Sequence, residues 1–170
     1  ISYNITNFTS SLLISNDAGT GTLDDASNNT GLGHEVFDDL TSGDDNTAVG
    51  ALALTKLTTG VENTAFGSQA LEANTTGGSN TAIGMKAMEA TTTGGNNTAV
   101  GVFAMGVNTE GQFNVAVGPN ALDANTTGDS NVSIGRLSLS ANTTADNNTA
   151  VGTSALQVNT TGTNNASLGF

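Results

Sequence analysis

A seventeen-residue repeat covers most of this 170-residue chain. An asparagine recurs at every seventeenth residue from Asn29 to Asn165 and opens the consensus N-T-A-V-G-x-x-A-L-x-x-N-T-T-G-x-x. We number the positions of the repeat from this asparagine, which gives eight full copies over residues 29–164 and a partial ninth over 165–170. A strict short period is typical of arrays in which each unit stacks on the next.

Glycine marks two positions of the repeat. Position five is glycine in all nine copies, and position fifteen is glycine in seven of the eight full copies, with Ala145 as the exception. Because glycine enters positive φ freely, both positions are expected to be corners of the chain. We therefore predict that Gly101 and Gly118 lie at sharp turns and that Gly101→Val destabilises its coil.

Large and small apolar residues alternate between these glycines. Positions four and nine are large, whereas positions three and eight are small in nearly every copy. Neighbouring residues of an extended segment face opposite sides. We interpret the large columns as the core, with Val100, Val117, Leu122 and Ile134 buried. The small column at position three is then a smooth outer stripe, formed by Ala48, Ala65, Ala82, Ala99, Ala116 and Ala150.

The period also selects the fold class. Seventeen residues are too few for a helix–turn–helix repeat, which needs about 33. They fit one coil of an all-β, parallel β-solenoid, in which identical residues stack at about 4.8 Å. Asparagine and threonine, which are abundant here, are also poor residues for helix interiors. We expect the position-one asparagines to be shielded and to form a ladder of side-chain amides, made by Asn46, Asn63, Asn80, Asn97, Asn114, Asn131 and Asn148.

The repeat divides the chain into two regions. Residues 29–170 form the solenoid array, and residues 1–28 form an N-terminal segment outside its register. Residues 5–21 still fit the consensus as a degenerate capping coil, with Phe8 at position four and Leu13 at position nine. Because the sequence begins at Ile1, we interpret it as a processed chain or a piece of a longer one.

Composition and charge exclude several classes of protein. Only 36% of the residues are hydrophobic and 4% are aromatic, which is too little for a thick globular core. The formal net charge of −12 repels nucleic-acid phosphates and anionic lipid headgroups. No apolar run approaches the length of a membrane span, so we expect neither nucleic-acid binding nor membrane insertion.

The block NTAVGxxALxxNTTG resembles repeats in the fibre proteins of tailed phages and in bacterial surface proteins. Its NTAVG part is similar to the SVAIG core of the head repeats of trimeric autotransporter adhesins. The resemblance covers residues 29–170 and implies a left-handed parallel β-roll, three chains side by side, and an extracellular appendage on a cell surface or a virion. The coil here is longer than in the adhesin heads, and no coiled-coil stalk or membrane anchor is recognisable. Those repeats carry no catalytic residues, so the resemblance supplies none.

The function predicted from these features is that of a structural segment in an extracellular fibre, a rigid rod for spacing or display. We predict no enzymatic activity, cofactor or metal, because smooth solenoid faces offer no pocket that would perturb a catalytic group. His34, the one histidine, is interpreted as part of a solvated edge. The repeat motif that binds calcium in other β-rolls is missing around the acidic pairs Asp24, Asp25, Asp44 and Asp45.

A ligand-binding module is the alternative function. Position thirteen is threonine in all eight copies, and such a column could bind ice, with Thr58, Thr75, Thr92, Thr126, Thr143 and Thr160 as candidate residues. We favour packing at a corner, because adjacent threonines in extended chain face opposite ways and cannot share one flat face. The other form of this alternative is an adhesin that recognises surface glycans.

The sequence also contains many Asn-x-Ser/Thr sequons, which are acceptors for N-linked glycans in proteins that pass through a glycosylating secretory route. The candidate acceptors are Asn4, Asn7, Asn28, Asn74, Asn96, Asn125, Asn142, Asn147 and Asn159.

Self-association is the predicted mode of partnership. Two large apolar residues per coil bury little surface, so another face should be covered by a second copy. We expect a homo-oligomer, with a side-by-side trimer favoured over a head-to-tail filament and the two compatible. If the alanine stripe forms the lateral contact, Ala99→Glu should disrupt it, whereas the same change at Gln69 should not.

Overall fold

The computed structural model describes residues 8–9, 12–14 and 24–169 of the chain. These residues form short β-strands and no helix, which confirms the all-β prediction. The strands are β1 (Phe8–Thr9), β2 (Leu12–Ile14), β3 (Ala26–Ser27), β4 (Thr30–Leu32), β5 (Thr47–Val49), β6 (Thr64–Phe66), β7 (Thr81–Ile83), β8 (Thr98–Val100), β9 (Val115–Val117), β10 (Val132–Ile134), β11 (Thr149–Val151) and β12 (Ala166–Leu168).

Parallel pairing joins each coil to the next. Strands β4 to β12 lie side by side in chain order, β2 extends the same ten-stranded sheet next to β4, and β1 pairs with β3. From β4 onward, paired residues are one repeat apart, as in Ala48↔Ala65 and Ala99↔Ala116. Each coil therefore contributes one strand at positions two to four. The predicted parallel β-solenoid of seventeen-residue coils is confirmed.

The N-terminal coil has a different register from the one predicted. Leu13 pairs with Gly31 and so aligns with position three, while Phe8 pairs with Ala26, one repeat before the position-fifteen residue Gly43. The predicted positions, nine for Leu13 and four for Phe8, are wrong. Three consecutive large residues, Leu12 to Ile14, allow several alignments on the pattern of large side chains alone, and the strand pairing selects one of them.

The inward face of the sheet is built from the small column. The position-three alanines are buried at 0% exposure in the isolated chain: Ala48, Ala65, Ala82, Ala99, Ala116 and Ala150. The outer stripe predicted for them is therefore wrong. Val100 and Val117 are only half-buried and Ile134 is 39% exposed, so their predicted burial is wrong too, whereas Leu122 is buried as expected. Strand alternation places position three on the same side as the buried asparagine at position one, and position four on the other side.

Positions eight and nine both face inward, although they are neighbours in sequence. Ala121 and Leu122 are each 0% exposed. The alternation is broken because positions seven and nine adopt the left-handed region, with φ of 54° at Asn120 and 53° at Leu122. Full burial of a leucine or methionine side chain contributes about 1.5–3 kcal/mol, so the position-nine column is the main apolar element of each coil.

The two glycine columns have different physical causes. Position five lies at a turn, with φ of 139° at Gly101 and 127° at Gly118, which confirms the predicted corner. The described glycines at position fifteen show no positive φ, so the reason predicted for them is wrong. A Cβ atom on Gly60 would instead lie 2.5 Å from the carbonyl oxygen of Gly77 in the next coil. The close approach of two coils therefore favours glycine at this position, although Ala145 occupies it in one coil.

Candidate functional site

A continuous ladder of asparagine amides runs through the interior at position one. The backbone N–H and the Nδ2 of Asn46 donate to Oδ1 of Asn29, at 2.9 and 3.0 Å. The same pair of bonds recurs in every following coil as far as Asn165. All seven asparagines expected in the ladder, Asn46, Asn63, Asn80, Asn97, Asn114, Asn131 and Asn148, are 0–1% exposed and belong to it.

The ladder asparagines from Asn29 to Asn131 also bond within their own coil, to the carbonyl oxygen at position fifteen. Nδ2 of Asn97 donates to the carbonyl oxygen of Gly111 at 2.8 Å, and Nδ2 of Asn114 does the same to Gly128 at 2.8 Å. One side chain thus bonds the preceding coil and the position-fifteen glycine of its own coil. Buried amides are stabilising only when their hydrogen bonds are satisfied, and these are. The column is a structural element of the core.

A second, shorter ladder lies at position twelve. Nδ2 of Asn125 donates to Oδ1 of Asn108 at 2.8 Å, and Nδ2 of Asn142 donates to Oδ1 of Asn125 at 3.1 Å. These side chains also donate to the position-fifteen carbonyl of their own coil, as in Asn125 to Gly128 at 2.9 Å. The sequence predicted no such ladder. The recurrence of asparagine at position twelve is the sequence feature that indicates this ladder, and asparagines at this position supply several of the predicted sequons.

Thr91 interrupts this second ladder between Asn74 and Asn108. Its side chain is 0% exposed, and its Oγ1 has no hydrogen-bond partner within the described part of the chain. A buried hydroxyl without a partner is destabilising. We expect Thr91→Val, which keeps the shape and removes the hydroxyl, to raise the unfolding free energy by about 1 kcal/mol. Thermal unfolding should show Tm rising by about 2–4 °C.

The adjacent Thr92 provides the matched control. Its Oγ1 donates to the carbonyl oxygen of Thr109 at 3.1 Å, so Thr92→Val removes a hydrogen bond that exists. The same substitution one residue along the chain should therefore lower Tm. Two shifts of the same sign would contradict the assignment of Thr91 as the unpaired member.

The position-thirteen threonines, proposed above as candidate ice-binding residues, direct their hydroxyls at the backbone. Oγ1 of Thr58 donates to the carbonyl oxygen of Thr75 at 3.0 Å, and Thr75, Thr92 and Thr126 repeat this bond to the next coil. Thr143 and Thr160 are exposed and show no such bond. A hydroxyl that donates to the next coil is not free to order a layer of water, so this arrangement favours the packing interpretation.

The outer face of the ten-stranded sheet is a regular exposed surface. We define it by the side chains of positions two and four. Position four carries Leu32, Val49, Phe66, Ile83, Val100, Val117, Ile134, Val151 and Leu168, all exposed or half-buried. Exposure is 49% at Leu32 and 57% at Phe66, and it rises to 86% at Leu168 in the last coil. Nine strands, β4 to β12, carry this apolar column, and at about 4.8 Å per strand it is about 38 Å long.

Position two completes the outer face with threonine, valine or alanine. It carries Thr30, Thr47, Thr64, Thr81, Thr98, Val115, Val132, Thr149 and Ala166. Neither column contains a charged residue in any coil. The chain carries a net charge of −12, so this long face differs from the rest of the surface in having no charged residue. Large exposed apolar patches typically mark interaction sites.

Several of the acidic side chains make structural hydrogen bonds. Oδ1 of Asp44 accepts from the backbone N–H of Ser27 at 2.7 Å, and Oδ1 of Asp146 accepts from the N–H of Asp129 at 2.8 Å. Nε2 of His34 lies 3.5 Å from Oε1 of Glu35, and both side chains are exposed. The residues that the structure describes contain no group of three or more His, Cys, Asp or Glu that could hold a metal ion.

The sequon asparagines fall into two structural sets. Asn74, Asn125 and Asn142 are 0% exposed, and Asn159 is half-buried. Asn28, Asn96 and Asn147 are exposed. Asn4 and Asn7 lie outside the described residues. Among the described residues, the predicted acceptors that are exposed in the folded array are therefore Asn28, Asn96 and Asn147.

Comparisons with known proteins add no family assignment. No protein-family model, curated protein or solved structure matches the chain. Among the described residues, none lies in a helix of the length and apolar character needed to cross a bilayer.

Proposed function

We propose that this chain is a structural segment of an extracellular fibre, a rigid rod that spaces or displays other parts of an assembly. The observation that carries the proposal is the outer face. It is apolar at position four in every coil, uncharged throughout, and in strict register over the nine strands β4 to β12. Such a face suits a partner of the same period, which a second copy of the chain supplies.

Rigidity is supported by the bonds between coils. Backbone pairing, the asparagine ladder and the position-thirteen hydroxyls all join a residue to its equivalent one repeat away. Over the coils that these hydroxyls join, from Thr41 to Thr143, a coil cannot bend against its neighbour without losing bonds in all three columns. The extracellular location rests on the resemblance to phage fibre and bacterial surface repeats.

In this assembly, three chains lie side by side with their outer faces turned to a shared axis. The lateral contact is then made by position four and not by the alanines of position three, which are buried within each chain. Ala99→Glu would therefore place a charge in the core of its own coil. It tests folding and not association.

Val117→Glu tests the lateral contact. Val117 faces outward from the sheet and is half-buried, so the single chain should keep its fold. Burying an unpaired charge between chains costs several kcal/mol, and about 3 kcal/mol corresponds to roughly a hundredfold weaker association. Sedimentation equilibrium should show the wild-type chain as a trimer and the variant as a monomer at the same concentration.

Val107→Glu is the matched control. Val107 lies at position eleven, away from the outer face, and is 47% exposed. The change adds the same charge one coil earlier and should leave the trimer intact. A folded wild-type monomer at micromolar concentration would overturn the proposal, as would equal dissociation of the two variants.

A further inference from the structure

The described sequons outside position one belong to two classes with different places in the coil. Asn-Thr-Thr occurs at position twelve, with Asn74, Asn125, Asn142 and Asn159 as the asparagines. Asn-Asn-Thr occurs at position seventeen, with Asn28, Asn96 and Asn147. Both classes are Asn-x-Thr, so the sequence motif does not separate them. The fold decides which side-chain amides a modifying enzyme can reach.

The position-twelve amides are engaged inside the coil. Nδ2 of Asn74, Asn125 and Asn142 donates to the position-fifteen carbonyl of the same coil at 2.9–3.0 Å. Even at half-buried Asn159, Nδ2 donates to Gly162 at 2.8 Å, and Oδ1 accepts from the Gly162 N–H at 3.1 Å. Asn125 and Asn142 also donate to the preceding coil, so a sugar on either Nδ2 would break a bond. At buried Asn74, Asn125 and Asn142, a sugar would also have to enter the packed interior of the array.

The position-seventeen amides are free and exposed. Asn28, Asn96 and Asn147 occupy the same left-handed turn, with φ of 58°, 60° and 59°. Within the described residues, their side chains make no hydrogen bond. Because they share one position, they lie along one edge of the stack, four coils and then three coils apart. At about 4.8 Å per coil, these intervals are roughly 19 and 14 Å.

We propose that Asn28, Asn96 and Asn147 are the sites of N-linked glycan attachment on the folded array. The co-substrate is a lipid-linked oligosaccharide. A bond forms between Nδ2 of the asparagine and C1 of the first sugar, and the bond from C1 to the lipid pyrophosphate breaks. The pyrophosphate leaves with the electron pair of that bond, and the amide nitrogen loses one proton. The array then carries glycans along one edge.

Attachment and lateral assembly use neighbouring positions. The third residue of each exposed sequon is Thr30, Thr98 or Thr149, at position two on the outer face. A transferase that reads this hydroxyl needs the outer face uncovered. If the chains associate as proposed above, attachment precedes association; the acceptor sites themselves do not depend on that proposal.

The test is transfer to the purified, folded chain by a single-subunit oligosaccharyltransferase of Asn-x-Thr specificity, with a lipid-linked oligosaccharide as donor. Peptide mapping by mass spectrometry should find glycans at Asn28, Asn96 and Asn147 and none at Asn74, Asn125 or Asn142. The same reaction on the urea-unfolded chain, after dilution, should modify the position-twelve asparagines, which shows that the enzyme accepts their sequence.

Thr98→Val supplies a matched variant. Valine already occupies position two at Val115 and Val132, so the fold should be unchanged, while the sequon at Asn96 is removed. Occupancy should disappear at Asn96 and persist at Asn28 and Asn147. Equal modification of the position-twelve asparagines in the folded chain, or modification of position seventeen only after unfolding, would overturn the inference. A monomeric wild-type chain that is modified as expected would count against lateral assembly alone.

Discussion

Replacing Gly101 with alanine should destabilise the array by about 3 kcal/mol or more. The φ of 139° at this residue is strained for any residue with a side chain, which costs about 1–3 kcal/mol. The new Cβ would also lie 2.7 Å from the carbonyl carbon and oxygen of Gly118 in the next coil. Backbone atoms cannot move aside as a flexible side chain can, so the two coils must separate. Thermal unfolding should show Tm lower by about 6–12 °C, and Gly101→Val should be worse still.

Gly106 in the same coil is the control for this prediction. Its Cβ position lies 3.4 Å from the nearest atom, the carbonyl oxygen of Phe103, which is an ordinary contact. Other coils carry Asp, Thr, Glu, Ser or Gln at the same position. Gly106→Ala should therefore change Tm little. If the two variants Gly101→Ala and Gly106→Ala have the same Tm, the close approach of coils at position five does not limit stability.

Asn97→Ser should lower the unfolding free energy by a similar amount, because it breaks the asparagine ladder. The substitution removes the Nδ2 bonds to Oδ1 of Asn80 and to the carbonyl oxygen of Gly111. It also removes the acceptor for the backbone N–H and Nδ2 of Asn114. Each buried group left unpaired costs about 1–3 kcal/mol, so we expect a loss of about 3 kcal/mol or more. Chemical denaturation followed by circular dichroism measures it.

Asn96→Ser is the matched substitution at the adjacent residue. Asn96 is exposed at position seventeen, where Ser79 and Ser130 already occur with the same left-handed φ. Its unfolding free energy should stay within about 0.5 kcal/mol of wild type. If Asn96→Ser and Asn97→Ser unfold at the same denaturant concentration, the ladder does not contribute to the stability of the array.

The repeat period predicted the fold because it fixes which residues stack. A parallel stack of identical coils puts each residue on its equivalent, so the columns of asparagine and glycine could be identified before any contact was known. The sequence did not fix the direction in which the sheet faces. Strand alternation places Ala99 and Val100 on opposite sides of the sheet, and the prediction that Val100 faces inward rests on its larger size alone.

Two features of the sequence indicate the correct direction. Position one was expected to be shielded, and Asn97 and Ala99 lie on the same side of a strand by parity. The second feature is uniformity. The buried column at position three is nearly all alanine, whereas Phe66, Ile83 and Val100 at position four differ widely in size, which suits a face that is not closely packed within the chain.

The left-handed residues were the least predictable part of the fold. Each coil places non-glycine residues at positive φ in positions seven, nine and seventeen, including bulky ones such as Leu54 and Met88. Intrinsic preference disfavours that conformation for them, so local sequence gives no signal. Burial of the position-nine side chain and pairing between coils compensate for the cost.

The nearest-neighbour architecture has a consequence at the level of the gene. Paired strands from β4 onward are always one repeat apart, and a coil bonds only to the coils before and after it. Gain or loss of seventeen codons by slippage or unequal recombination keeps the reading frame and every column in register. Such an event lengthens or shortens the rod by about 4.8 Å and creates no new kind of contact. Length can therefore vary among descendants of one ancestral gene while the surface chemistry of each coil is preserved.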